Sequence, residues 1–113
     1  MAKSAAQWDV RIHDEAQAEI NAIKDPRLRT QIQKAITKKL AADPVQLGKQ
    51  LKGDFYPLMR ITMASYRILY LVDERGRRVL VTNVIHRKTG YTMAVHKNVK
   101  ARTEAPSDDS HRE

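Results

Sequence analysis

Leu58-Met59-Arg60-Ile61-Thr62-Met63-Ala64-Ser65-Tyr66-Arg67-Ile68-Leu69-Tyr70 is the stretch on which the fold turns. Apolar and polar residues alternate on either side of Ala64-Ser65, the pattern of two half-buried strands joined by a tight turn. With a two-residue loop at Ala64 and Ser65, Thr62 lies opposite Arg67, and Arg60 projects from the same side two residues further along. Met59, Ile61, Met63, Tyr66, Ile68, Tyr70 and Val72 then share the other face, which is the core side. An odd-length loop would shift the register and separate the arginines, so the turn decides whether they meet. Two neighbouring arginines repel each other unless an anion lies between them. A phosphate site explains such a pair more readily than a structural role does.

Working outward, Trp8, Val10 and Ile12 alternate with Asp9, Arg11 and His13, which predicts a short strand with one apolar face. Asp14 reads as a helix N-cap with Gln17 as its capping-box partner, and Ala16, Ile20 and Ile23 form one apolar stripe that ends near Lys24. Asp25-Pro26 starts a second helix, with Leu28, Ile32, Ala35, Ile36 and Leu40 on its core side and Asp43-Pro44 at its end. Only a few residues separate the two helices, so an antiparallel helical hairpin is expected. Residues 45–54 read as loop, with Gly48 and Gly53 as flexible points. Strands are expected near 57–63, 66–72 and 79–86. After Tyr91 the residues suit a short helix or a further strand and do not decide between them. The fold class is therefore α+β in β-α-α-β-β-β order, a helical hairpin on a mainly antiparallel four-stranded sheet. The domain is expected over 8–96, with flexible termini at 1–7 and 101–113.

A chain of 113 residues suits one domain that can bury a real core. It has no cysteine, so neither a disulfide nor a thiolate zinc site supports the fold, and nothing calls for an oxidising compartment. His13, His96 and His111 lie too far apart in sequence to suggest a metal site, and no cofactor is expected. No signal-like or bilayer-length apolar run is present, which gives a cytoplasmic expectation with no membrane partner. The formal net charge of +8 is uneven. Residues 49–100 hold 11 Lys+Arg against 3 Asp+Glu, whereas residues 1–48 hold 8 against 6 and residues 101–113 hold 2 against 4. Such a field suits a polyanion, and nucleic acid is the commonest one. An acidic protein partner, or solubility alone, would account for the same charge.

The element order resembles the RelE/ParE superfamily of bacterial toxins. The resemblance rests on Trp8-Asp9-Val10, Asp43-Pro44, Leu51-Lys52-Gly53, Tyr66-Arg67-Ile68-Leu69-Tyr70 and His86-Arg87-Lys88-Thr89-Gly90-Tyr91, and covers about residues 8 to 92. It implies a toxin of a type II toxin–antitoxin pair, neutralised by a cognate antitoxin and touching operator DNA only through it. The RelE-like branch cuts mRNA in the ribosomal A site without a metal, the ribose 2′-OH attacking the adjacent phosphate. The ParE-like branch inhibits DNA gyrase. A non-catalytic module that co-represses its operon is a third alternative.

Carried over by position, Arg67 matches the arginine that stabilises the transition state, Arg60 a basic position on the preceding strand, and Tyr91 a closing tyrosine that positions the substrate base. Lys49, Lys52 and Lys88 are expected to contact RNA phosphates. Where RelE-like enzymes place lysines on the second strand, this chain has Leu58 and Arg60, and an arginine stays protonated. His86 is the candidate base in their stead. Whether His86 or Arg87 faces the phosphate stays open. The expected activity is that of a ribosome-dependent mRNA endonuclease, with gyrase inhibition as the alternative.

Overall fold

The computed structural model describes residues 7–89. Strand β1 (Asp9–Ile12) leads into helix α1 (Asp14–Asn21) and helix α2 (Pro26–Lys34), which continues as a π-helical stretch over Ala35–Leu40. Helix α3 (Pro44–Leu47), strand β2 (Lys49–Gln50) and a 3-10 turn (Gly53–Phe55) come next. Strands β3 (Met59–Met63), β4 (Tyr66–Asp73) and β5 (Arg78–His86) complete the described chain. All strands join one sheet in the order β1-β5-β4-β3-β2. β1 runs parallel to β5, and the other neighbours are antiparallel.

This is the expected α+β architecture with one strand more than the four anticipated, because residues 45–54, read as loop, contain α3 and β2. Elements of four and two residues are too short to show a period, so the sequence hides them. The residues after Tyr91 lie outside the described residues.

Local chemistry fixes the helix starts. The cap of α1 is His13, one residue earlier than expected, since its Nδ1 accepts the Glu15 N–H at 3.1 Å and Asp14 becomes the first helical residue. An acidic first turn, Asp14 and Glu15, still suits the helix dipole. Gln17, expected in a capping box, instead donates to Gln33 on α2 and to Asn21, both at 3.1 Å, and so ties the two helices together. Asp25 caps α2 as expected, accepting the Arg27 N–H at 2.9 Å with Pro26 at the first position. Asp43 closes the long helix and also caps α3 through the Gln46 N–H.

The helices bury their predicted stripes against one face of the sheet. Ala16, Ile20 and Ile23 meet Ile32, Ile36 and Leu40 above Met59, Ile61, Ile68, Tyr70, Val79, Val81 and Val84. Each fully buried aliphatic side chain contributes about 1.5–3 kcal/mol of transfer free energy, so this layer dominates the stability. Tyr70 is wholly buried, and its hydroxyl donates to the Pro44 carbonyl at 2.8 Å, fastening the start of α3 to the sheet. Burial first, and the Asp43 carboxylate second, push the Tyr70 hydroxyl up to about 12.

β1 pairs with β5 only as far as Val81, so the far end of β5 would present bare backbone beside α1. Glu19 covers part of that edge, its carboxylate accepting the Val84 N–H at 2.8 Å.

Candidate functional site

The β3–β4 hairpin has the two-residue turn that its alternation calls for. Met63 pairs with Tyr66, and Thr62 pairs with Arg67. Ala64 adopts φ +55°, the left-handed value that the first turn position of a tight hairpin needs. Arg60 pairs with Leu69 on one side and with Lys49 of β2 on the other. Lys49, Arg60 and Arg67 therefore lie on the face of the sheet away from the helices. The β4–β5 ladder sets Ile85 opposite Arg67, and the Arg87 N–H donates to the Ser65 carbonyl at 2.7 Å. That last rung carries the alternation one residue past His86 and returns Arg87 to the arginine side. A basic stripe from Lys49 through Arg60 to Arg67 thus crosses three strands and is continued by Arg87, just past the end of β5.

The stripe borders a second, smaller apolar cluster that the alternation did not reveal. Leu58, Leu69 and Ile85 are buried there, with Leu51, Phe55 and Leu71 packed around them. Leu69 and Leu71 stand on the arginine side of β4, so this face is half greasy and half cationic. Arginines at the border of an apolar patch are poorly hydrated, which strengthens their attraction for an anion.

Arg67 is half-buried and engaged within the fold, whereas Arg60, also half-buried, forms no ion pair or side-chain hydrogen bond among the described residues. Asp73, a carboxylate on the same strand as Arg67, is committed elsewhere. Its Oδ2 lies 3.2 Å from the Arg78 guanidinium and its Oδ1 accepts the Gly76 N–H. The Gly76 N–H first, and the Arg78 side chain second, hold this carboxyl below its ordinary value.

His86 is on the other face. It pairs across the ladder with Tyr66, and the two rings meet edge to face, centroids 5.0 Å apart at 80°. Its Nδ1 accepts the Lys88 N–H at 3.1 Å, which in the neutral ring leaves the proton on Nε2. In that tautomer Nε2 donates and takes no proton. The structure thus gathers Arg60, Arg67, Arg87 and Lys49 and sets His86 apart from them. Lys52 is exposed in the segment after β2, and Lys88 is exposed just past β5. Tyr91 lies outside the described residues.

One cation that no sequence motif marks stands near the stripe. Lys39, on the π-helical stretch, lines an open pocket of about 280 Å³ together with Lys49, Arg60, Leu47 and Thr62. On a helix that carries Lys34, Lys38 and Lys39 among many polar residues, nothing in the sequence singles it out.

Known proteins place this arrangement. The chain is similar in fold to the toxin–antitoxin complex RelBE2 from Mycobacterium tuberculosis, with a TM-score of 0.68 and 23% identity over 73% of this chain and 93% of that one. It is likewise similar to a free mutant form of the Escherichia coli toxin RelE, at a TM-score of 0.64 and 19% identity over 85% and 97% of the two chains. An archaeal RelE–RelB complex from Pyrococcus horikoshii gives 0.59 and 17% over 72% and 96%. No curated protein matches in sequence. The family described as the ParE toxin of the type II toxin–antitoxin system parDE matches residues 10–91. With that match spanning most of the chain, and its fold shared with RelE structures, the protein belongs to the ParE toxin family within the RelE/ParE superfamily of type II toxins.

Proposed function

We propose that this toxin is a metal-independent, ribosome-dependent mRNA endonuclease, held inactive by a cognate antitoxin. The observation that carries the proposal is the shared face of Lys49, Arg60, Arg67 and Arg87. The matching toxin structures from Mycobacterium and Pyrococcus are complexes with their antitoxins, which supports a partner of that kind here.

In the proposed reaction the ribose 2′-oxygen bonds to the adjacent phosphorus and the bond from phosphorus to the 5′-oxygen breaks, leaving a cyclic phosphate and a 5′-hydroxyl. Negative charge grows on the non-bridging oxygens, where Arg67 and Arg60 supply fixed positive charge beside an apolar border. Lys49 and Arg87 hold flanking phosphates. Among the described strand positions of β2 to β5 this face carries no imidazole, and its one carboxylate, Asp73, stands at the far end of β4, held by Arg78 and the Gly76 N–H. Proton transfer from the 2′-OH is therefore assigned to groups outside the strands, from Tyr91 or from the ribosome itself, which gives ribosome dependence a physical reason.

The same missing base, together with a family described by the ParE toxin, favours one second reading: a gyrase inhibitor that binds its target and cuts nothing. Two assays on one preparation separate them. Full-length protein added to programmed ribosomes should cut the A-site codon, as seen by primer extension, and leave gyrase supercoiling intact. Intact mRNA with blocked supercoiling would replace the first reading by the second.

A further inference from the structure

The basic stripe is not balanced by charge of its own. Lys49, Arg60 and Arg87 form no ion pair among the described residues. The three carboxylates between Lys49 and Thr89 lie toward the other end of the hairpin, Asp54 in the 3-10 turn before β3, Asp73 at the end of β4 and Glu74 just after it. Asp73 is already bound to Arg78. Fixed cations on a shared face repel one another, so the stripe favours any anion that can reach it.

The described residues end beside this stripe. Arg87 follows β5 directly, and Thr89 is the last residue described. Further along the chain, residues 103–111 hold Glu104, Asp108 and Asp109 and no lysine or arginine. They lie beyond residues 10–91, the part that the toxin family matches. The fifteen residues from Lys/Thr89 onward to Glu104 can span up to about 50 Å, against about 15 Å from β5 across the sheet to β2. Every cation of the stripe is thus within reach. A tether of this kind presents its carboxylates to the stripe at about millimolar effective concentration.

We propose that residues 104–109 dock across Lys49, Arg60 and Arg87 as an internal stand-in for the RNA backbone, so that RNA binds this face only by displacing them. Glu104, Asp108 and Asp109 take the places of phosphates, since both chains offer anionic oxygens at intervals to the same donors. The proposal rests on the phosphate-binding role given above to the stripe, and not on cleavage. If the local concentration exceeds the segment's own dissociation constant by about tenfold, the apparent affinity for RNA falls about tenfold. The toxin then engages RNA only where RNA is locally abundant.

The test uses the full chain without ribosomes. Because the chain has no cysteine, Ser107→Cys offers a single site for a nitroxide label. At low salt the label should broaden the amide NMR signals of Lys49, Arg60 and Arg87 more than those of Asp9 and Arg78, and either high salt or added oligouridylate should remove the effect. Glu104→Gln, Asp108→Asn and Asp109→Asn together should abolish the broadening. The same three changes in the unlabelled chain should raise oligouridylate affinity about tenfold and steepen its salt dependence by about 2 in log–log slope, as up to three cations regain counterions to release. Asp14→Asn, Asp54→Asn and Glu74→Gln, an equal change of net charge at exposed positions elsewhere, should raise affinity less than about threefold. Absent or uniform broadening, broadening that oligouridylate leaves in place, broadening that passes only between copies, or an equal gain from the control substitutions would each overturn the proposal. Loss of ribosomal cleavage with the broadening intact would refute the nuclease reading alone.

Discussion

Gly48 joins α3 to β2 with an ordinary extended backbone, φ −102° and ψ 178°, so its need for glycine is steric rather than conformational. A Cβ built there would stand 2.0 Å from the Tyr70 hydroxyl oxygen, 3.0 Å from its Cζ and 2.9 Å from the Arg60 carbonyl oxygen. The Tyr70 ring is wholly buried and has no free path, and the carbonyl belongs to a paired strand. Gly48→Ala must therefore push the hydroxyl off the Pro44 carbonyl or push β2 off β3. Overpacking of this kind costs about 1–3 kcal/mol, and leaving a buried hydrogen-bonding group unsatisfied costs about 1–3 kcal/mol more. A total of about 2–6 kcal/mol is expected in urea unfolding. Tyr70→Phe alone should cost about 1–3 kcal/mol, since the Pro44 carbonyl loses its donor. The two changes should not add. Removing the hydroxyl also removes the worst clash, so the double variant should be at least about 1 kcal/mol more stable than the sum of the single costs implies. Strictly additive costs, or a Gly48→Ala protein as stable as the parent, would refute the close approach of Gly48 to Tyr70.

Because the folded Tyr70 hydroxyl titrates near 12 and the unfolded one near 10, unfolding favours the ionised form at high pH. Stability from this group is full below pH 10 and is lost as pH rises from 10 to 12, so the alkaline loss should be steeper in the parent than in Tyr70→Phe, measured by thermal melts across that window. Ile36→Ala removes a wholly buried side chain between helices and sheet and should cost about 2–4 kcal/mol in denaturant titrations. Asp25→Ala frees the Arg27 N–H at the start of α2 and should cost about 1 kcal/mol by the same measurement. Asp25→Asn or Asp25→Ser should restore most of it, because either side chain can accept that bond.

The hairpin was legible because its period and its turn agree. Met59 to Met63 and Tyr66 to Ile68 alternate apolar with polar on either side of Ala64-Ser65, and two residues between them allow one register, which the structure has. Helix stripes were legible for the same reason, and so was the cap at Asp25. The start of α1 shifted because the His13 imidazole nitrogen reaches the Glu15 N–H, a bond that residue preferences at caps do not favour. Long-range placement was less legible. Nothing local in Asp9–Ile12 says that it runs parallel to β5, and nothing in Lys49–Gln50 marks a strand.

Within the site, Arg60 and Arg67 were placed together by parity, and Lys49 joined them only once β2 existed. The face of His86 depends on the register between β4 and β5, which shifts at Leu69/Tyr70 and which alternation within one strand does not encode. The cluster of Leu58, Leu69 and Ile85 was hidden likewise, since a residue just before β3, one in the middle of β4 and one near the end of β5 build it. Lys39 comes from a π-helical stretch, whose wider turn no sequence period announces.

The basic face of the sheet is the centre of the functional proposal, and Arg67 is its most direct probe. Single-turnover cleavage of A-site mRNA on programmed ribosomes should fall by about 10²-fold or more in Arg67→Ala, the usual effect of removing a group that stabilises transition-state charge. Arg67→Lys should recover part of the rate, keeping the charge and losing the fork of donors. Because Arg67 is also engaged within the fold, the rates are compared at temperatures where urea unfolding shows each variant fully native. A native Arg67→Ala protein that cuts at the parental rate would contradict the assignment of phosphate chemistry to this face.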